Sequence, residues 1–579
     1  MTDANLTTKQ SNYYNNINPD LLAAIPLHAS QVLELGAGAG ALGAAFKRRN
    51  PKAHWIGVEL MHEAASLAAH HLDEVIVANA EDEQSSLPWD AWQGRMDAIV
   101  LGDVLEHLRD PWHMLARLST CLSPQGVVIA CIPNVGHWTV IQGLLQGNFS
   151  YTDQGLLDRT HLRFFTAQSM LELFNRSGLK PLTMRGREIV VNQAGFERFA
   201  ESMKAWMSQS GEDPQVLRSR WLSLQYVLRA VPVQTSATPR RLVIAMLAMA
   251  PSFAEVRTRF PIAAFGSLID VEVHYFERSA QLPDLPEDLP KVFIVQRQLP
   301  ASEQAWSATV QRLEARGWLV LAEWDDHPVL FAPRIREIFE RAPWASVRAA
   351  HGVITSTVRL AQAIEKARGD DHVLIFENRL IDLPPERGVR AERVQHAAPG
   401  LQVFFGALNR TTEGIALMHA LAFVFAKHPQ LELVVLQDKA VFEAAPIKRK
   451  RFIEALSYDK YHQLLHECDI ALLPLAAHEG NACKSDLKFI ECAAHEVVCI
   501  ASPTVYAQSI QDGVTGLIAS SDEAFAQALE ALASNSTKRL AIAQAARQYV
   551  RDHRLWAQVL PDRLQALEHA WRQWRKLRL

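Results

Sequence analysis

Four groups of residues in this sequence have the types and spacing that chemistry requires. The first is the run Glu34-Leu35-Gly36-Ala37-Gly38-Ala39-Gly40, which lies between an apolar stretch and a helical one. Small residues there let the backbone approach a ligand, and the free N–H groups of a helix start favour a polar or anionic group, although a tight strand-to-helix turn would use the same residues. Acidic side chains follow at the ends of later apolar runs: Glu59 in WIGVEL, placed to accept from ribose hydroxyls, then Glu81 and Asp82 in NAED and Asp103 in GDVLEHL. The second group is three histidines, His107, His137 in IPNVGHW and His161 in LLDRTHLRFF. Each could take a proton from an attacking hydroxyl, with His161 favoured and His137 next, and each could equally be a hydrogen-bonded structural residue. Asp158 and Arg159 fit acceptor contacts or a capped turn. The third group is Gly406 and Arg410 in FFGALNR with Lys484, Lys488 and Glu491 in KSDLKFIECAA. Arg410 suits a diphosphate, and two lysines four apart would share one face of a helix. The fourth is Glu323-Trp324-Asp325-Asp326-His327-Pro328, where Asp326 is a candidate catalytic carboxylate and turn capping is the alternative. No spacing calls for a metal.

These residues sit at the ends of short β-rich runs that alternate with helical stretches. VLEL, WIGVEL, EVIVAN, MDAIVLGD and GVVIACIP form a first series. RLVIAML, KVFIVQ, WLVLAEW, HGVITST and HVLIFEN form a second, and LQVFFGAL, LELVVLQ, CDIALLPL and VVCIAS a third. This alternation predicts parallel sheets with crossover helices. The polar VQTSATP and the charged PPERGVRAERVQHAAPG read as linkers. The expected architecture is α/β with three Rossmann-like units, in domains 1–232, 240–395 and 396–579. A chain of 579 residues is too long for one compact core. Its net charge of -4, from 59 basic and 63 acidic side chains, gives no global field for nucleic acid, and no nucleic-acid partner is expected. Six cysteines without a CxxC pair, a polar N-terminal stretch and no apolar run long enough to span a bilayer fit a cytoplasmic protein.

Residues 20–230 resemble a class I S-adenosylmethionine-dependent methyltransferase through ELGAGAG, Glu59, the AED loop, DVLEHL and the strand after SPQGVVI. The resemblance implies that Gly36 and Gly38 meet the amino-acid part of S-adenosyl-L-methionine, and Glu34, Gly40 and Asp103 are further candidate cofactor-binding residues. It gives Glu59 the ribose and Glu81 or Asp82 the adenine side. Residues 240–560 are similar to group 1 glycosyltransferases of the GT-B fold through FFGALN, LLPL, KSDLKFIECAA and DGVTGLI. That implies a nucleotide-sugar donor held by Arg410, Lys488 or Lys484 and, at its ribose, by Glu491. The family commonly places a second glutamate eight positions before the one matched by Glu491. Here that position is Cys483, and Glu479 lies further upstream. Glu377-Asn378-Arg379 resembles a structural junction of these enzymes. Arg297 could line the cleft.

The C-terminal LPDRLQALEHAWRQWRKLRL puts Leu560, Leu564, Leu567, Trp571 and Trp574 on one helical face with arginines opposite. Packing against the transferase domains is the favoured reading, and peripheral contact with the inner membrane face the alternative. Lys448-Arg449-Lys450-Arg451 reads as a solvated face. The expectation is a bifunctional enzyme transferring a methyl group and a sugar to a surface glycan or glycoconjugate. The alternative is an active methyltransferase carrying an inactive glycosyltransferase-like binding module.

Overall fold

The computed structural model describes residues 17–82, 84–189, 192–233, 241–250, 255–387, 400–406 and 410–578. Most of both expected linkers, and Ala407 to Asn409 of the FFGALN motif, lie outside these residues. The chain divides into two units, Met1–Pro239 with Gly266–Asp270, and Arg240–Phe265 with Val271–Leu579.

The first unit is built on strands β1 (Gln31–Leu35), β2 (His54–Glu59), β3 (Glu74–Val77), β4 (Met96–Gly102), β5 (Leu122–Pro133), β6 (Leu179–Glu188) and β7 (Ser223–Pro232). Their order in the sheet is β3-β2-β1-β4-β5-β7-β6. The first five are parallel, and the apolar runs of β1, β2, β4 and β5 are buried as expected of strands covered on both faces, whereas β3, at the edge of the sheet, leaves Val77 exposed. β7 runs antiparallel to both β5 and β6. Sequence patterning did not find this pair, because β6 carries Pro181 and Gly186 and its register shifts between Pro181 and Thr183, which breaks the period-two pattern. β1 lies between β2 and β4, so the sheet reverses direction there and opens a crevice at the carboxyl ends of its strands.

The second unit holds two parallel sheets. One contains β8 (Leu242–Ala248), β9 (Val271–Glu277), β10 (Lys291–Gln296), β11 (Leu319–Trp324), β12 (Gly352–Thr355) and β13 (Val373–Ile375), in the order β13-β12-β11-β10-β8-β9. The other contains β14 (Leu401–Phe405), β15 (Leu431–Leu436), β16 (Lys450–Ile453), β17 (Ile470–Leu473), β18 (Val498–Ala501) and β19 (Leu517–Ile518), in the order β16-β15-β14-β17-β18-β19. The basic run expected as a solvated face leads into β16, which pairs in parallel with β15. Arg449 meets Glu432, Arg451 meets Glu467, and Lys450 Nζ donates to the carbonyls of Phe442 and Ala445. Positive charge on such an edge discourages pairing with another chain.

The two sheets are fastened to each other. Arg554, just beyond the helix Ser536–His553, forms a bidentate ion pair with Asp486, and its Nη2 also donates to the Asn378 carbonyl at 3.3 Å. Asn378 Nδ2 in turn donates to Ser485 Oγ at 2.7 Å, which ties the junction after β13 to the donor-side loop. The C-terminal helix Leu560–Arg578 returns to the β8–β13 half of the unit: Trp571 Nε1 donates to Gly317 O at 3.5 Å, Arg575 meets Glu287, and Trp574 packs on His351. The apolar face read from the sequence is thus largely spent on packing. No helix among the described residues is long and apolar enough to cross a membrane.

Candidate functional site

In the first unit the glycine run makes the turn from β1 into the helix Ala41–Arg49, with φ of 76°, 54° and 79° at Gly36, Gly38 and Gly40. A Cβ on Gly36 would lie 2.6 Å from Val104 Cγ2, so both the left-handed backbone and the close approach to the segment after β4 require glycine. Glu59 closes this turn: its Oε2 accepts from Gly38 N at 2.8 Å and its Oε1 from Met61 N at 2.9 Å. Glu34 points elsewhere. Its buried carboxyl accepts from Trp55 Nε1 at 2.9 Å, and burial raises its pKa to about 8, with the Trp55 hydrogen bond opposing and Glu59 adding to the rise. At neutral pH it is a protonated support behind the turn.

Glu81 and Asp82 separate in role. Glu81 Oε1 accepts from Arg109 N at 2.8 Å and Asp110 N at 3.0 Å, which secures the segment after β4, whereas Asp82 Oδ1 accepts only locally, from Gln84 N at 3.0 Å. Asp103 follows β4 with φ of 54°, a left-handed backbone uncommon outside glycine, and its side chain is met by Gln225 from β7. Gln225 escaped sequence reasoning because it lies on a strand that patterning did not find.

The three histidines fall into two places. His107 and His161 meet edge to face, with ring centroids 4.8 Å apart. The loop bearing His161 is tied to the turn after β4: Leu162 N and Arg163 N donate to Glu106 O at 2.8 and 3.0 Å, and buried Asp158 holds Thr160 N and Oγ1. Asp158 therefore caps a turn. His107 Nδ1 lies 3.1 Å from Thr160 O and His161 Nδ1 3.3 Å from Leu156 O. A carbonyl only accepts, so each Nδ1 carries a proton. His137 is different. It caps the helix Trp138–Leu145 by accepting from Thr139 N at Nδ1, and burial lowers its pKa to about 4. It is a neutral ring with its proton on Nε2, and it lines a cavity of about 440 Å³ with Trp138, Thr152, Leu156, Leu157 and Ile189.

In the second unit the strand ends β10, β11, β14 and β17 bring the remaining residues together. Arg297, at φ 47° after β10, bridges Asp325 and Asp326 at 2.5 Å each, and Lys484 Nζ reaches Asp326 Oδ1 at 3.3 Å from the other sheet. Burial alone would raise the Asp326 pKa, but Lys484 and Arg297 outweigh it and hold this carboxyl below the usual range. Buried Arg410 donates from Nη1 to Asn481 Oδ1 at 3.1 Å, and burial lowers its pKa against the pull of Glu413, Tyr506 and Asp326. Buried Glu491 accepts from Tyr461 OH at 3.0 Å, and Lys488 Nζ lies 3.1 Å from that hydroxyl and 3.5 Å from Glu491 Oε2.

The two lysines do not share a helical face. The helix begins at Leu487 with Asp486 at its N-cap, so Lys484 lies in the preceding loop. Asp486 pairs with Arg554, Lys484 reaches Asp326, and Lys488 faces Glu491. Cys483 is buried in a cluster with Ala322, Trp324 and Phe339, and its carbonyl accepts from Thr357 Oγ1 at 2.9 Å. Exposed Glu479 opens the short helix Glu479–Ala482, near enough to His327 for its charge to oppose the burial that lowers that imidazole's pKa.

Comparison with known proteins follows this division. Residues 11–183 match the family model of a methyltransferase domain, and residues 420–565 that of a glycosyl transferase-like domain. The ubiquinone biosynthesis O-methyltransferase of Acinetobacter baylyi is 29% identical over 189 residues, which cover 30% of this chain and 74% of that protein. The malonyl-[acyl-carrier protein] O-methyltransferase of Geobacter sulfurreducens is 26% identical over 187 residues, covering 32% and 68%. Among solved structures, Anabaena HepE in complex with UDP and glucose superposes with a TM-score of 0.40 and 14% identity, over 56% of this chain and 99% of that one. A TarM variant of S. aureus with bound UDP gives a TM-score of 0.36 and 12% identity over 48% of this chain, and the match spans only 55% of that protein. The chain carries a methyltransferase domain in its first unit and a glycosyl transferase-like domain in the C-terminal part of its second.

Proposed function

We propose that the chain is a bifunctional transferase that moves a methyl group from S-adenosyl-L-methionine and a sugar from a nucleotide-sugar donor to hydroxyls of a glycan or glycoconjugate. The observation that carries the reading is the pair of crevices at the carboxyl ends of parallel strands, each lined by the groups its donor needs. In the first, Gly36, Gly38 and Gly40 admit the methionine part, and Glu59 has lone pairs left for the ribose beyond those used by Gly38 and Met61. Glu81 or Asp82 takes the adenine side: Glu81 Oε1 accepts from Arg109 N and Asp110 N, and Asp82 Oδ1 from Gln84 N. The paired imidazoles of His107 and His161 mark where the acceptor hydroxyl is activated. His137 contributes an N–H to the acceptor cavity rather than a base.

In the second crevice Arg410 and Lys484 take the diphosphate and Glu491 the donor ribose, held by Tyr461 and Lys488. Asp326, held ionised, faces them from the other sheet as a base. Cys483 in place of a second glutamate favours one further reading, a second unit that binds a nucleotide without turnover.

Thermal stabilisation by S-adenosylhomocysteine and by UDP, GDP, dTDP and CMP tests both sites. A shift with S-adenosylhomocysteine and with one nucleotide, followed by transfer of labelled sugar from that nucleotide's conjugate, is expected. A nucleotide shift without transfer to any carbohydrate acceptor selects the binding-module reading. No shift with any ligand sinks the proposal.

A further inference from the structure

We propose that Glu106, His107 and His161 form a binding site for a divalent transition-metal ion. One carboxylate oxygen and one nitrogen from each imidazole lie within 4.8 Å of one another, and this is the one such group of three among the described residues. The residues come from segments far apart in the chain, the turn after β4 and the loop after Gly155, so linear spacing could not reveal them.

The tautomers support the assignment. Both imidazoles donate Nδ1–H to backbone carbonyls, of Thr160 and Leu156, so Nε2 is the nitrogen a neutral ring would turn to a cation. Metal-bound histidines are oriented in this way, with the second nitrogen donating to a carbonyl or carboxylate. One imidazole nitrogen from each ring and a Glu106 carboxylate oxygen lie within 4.8 Å of one another, and donors gathered in this way favour a cation between them. Two imidazoles and one carboxylate suit Zn²⁺, Co²⁺, Mn²⁺ or Fe²⁺ better than Mg²⁺ or Ca²⁺, which prefer oxygen.

The frame is also rigid. Glu106 is buried, and its carbonyl holds the His161 loop through Leu162 N and Arg163 N. Donor atoms around a tetrahedral ion at about 2.1 Å stand about 3.4 Å apart, so closure asks for side-chain movements of roughly an ångström. Three protein ligands leave a position open, and an acceptor oxygen would complete the shell; that last step rests on the methyl-transfer reading, whereas the site itself does not.

The test is titration of the full-length, EDTA-treated and dialysed chain with Co²⁺. About one equivalent should bind with visible d–d absorption and be displaced by Zn²⁺. Glu106→Gln, His107→Ala and His161→Ala should each remove that equivalent while S-adenosylhomocysteine still raises the melting temperature, which shows that the unit is folded. His462→Ala guards against binding at the separate His462–His495–His466 cluster and should leave the stoichiometry unchanged. Absence of Co²⁺ and Zn²⁺ binding at micromolar concentration in the wild-type chain, a shared proton being all the site holds, overturns the proposal. So does full binding by all three variants. If Co²⁺ binds but S-adenosylhomocysteine stabilises nothing, the methyl-donor reading fails and the metal site stands.

Discussion

Replacing Glu34 with glutamine should change how the stability of the first unit depends on pH. Burial raises the Glu34 pKa from 4.5 to about 8 in the folded chain. The folded form therefore holds its proton where the unfolded chain has lost it, so the stability this group permits is fully present below pH 4.5 and declines as the pH rises toward 8. The loss is ~1.4 kcal/mol for each pH unit in that window, which puts the wild-type unit about 3 kcal/mol below its acid-side level at pH 7. Glutamine keeps an acceptor for Trp55 Nε1 but has no proton to lose. The advantage of Glu34→Gln over wild type should then grow by ~2.7 kcal/mol between pH 5.5 and 7.5, whatever fixed cost its amide N–H groups carry. For a unit of this size that widens the gap in melting temperature by roughly 5–10 °C. The chain has two units, so the transition to follow by calorimetry is the one that S-adenosylhomocysteine displaces. A charged Glu34 would also stand beside Glu59, so this ligand's shift should weaken above pH 8 in the wild type and hold in the variant. A melting-temperature gap that stays constant with pH would refute the buried, protonated carboxyl.

Glu491→Gln should abolish the nucleotide-induced thermal shift and leave that of S-adenosylhomocysteine intact; a preserved nucleotide shift removes Glu491 from the donor site. Arg554→Met leaves Asp486 charged and buried without its bidentate partner, and should cost about 3–5 kcal/mol, seen as a lower denaturation midpoint for the second unit only. Burial and the neighbouring His462 and His466 push the His495 pKa down to about 2, so the folded form resists protonation that the unfolded chain accepts below its ordinary value of 6.5. The second unit should lose up to ~1.4 kcal/mol for each pH unit below 6.5, and His495→Asn should flatten that slope in melts between pH 6.5 and 5.

The fold was legible where strands are buried on both faces, because such strands read as unbroken apolar runs. β1, β4, β10, β14 and β17 all stand out in this way, and so do the turns that end them. What escaped were half-exposed strands, together with the largely buried β7, whose apolar run Gln225 and Arg229 interrupt. β6 mixes charged residues with a proline and a glycine, β9 alternates charged and aromatic residues, and β16 hides in a basic run. Site residues set by one turn, such as the three glycines and Glu59, could be placed from the sequence. Those set by packing could not. A helix drawn through both Lys484 and Lys488 ignores Asp486, whose partner Arg554 comes from a distant element. The convergence of Glu106, His107 and His161 likewise depends on a loop that only folding brings back to β4.

The absent second glutamate has a packing cause that points to where the missing charge went. Cys483 occupies its position, in one buried cluster with Trp324 at the end of β11 and Phe339 and Val347 on the helices Pro333–Arg341 and Ala345–Ala349. A carboxylate there would be desolvated against aromatic rings, at a cost of several kcal/mol unless a cation came with it. Among the carboxylates near the crevice, Glu479 and Asp326 are the two candidates to replace it. Glu479 is exposed on a four-residue helix and accounts for little beyond its field on His327. Asp326 is held ionised between Arg297 from its own sheet and Lys484 from the other. A carboxylate that spans both halves is fixed relative to donor and acceptor at once, and such positioning is what a group-transfer step demands. Asp326→Asn should therefore lower sugar transfer by about 100-fold or more at unchanged nucleotide affinity, whereas Glu479→Gln should change it by less than about threefold. The reverse ranking would show that the exposed glutamate, displaced along the chain, still does the chemistry.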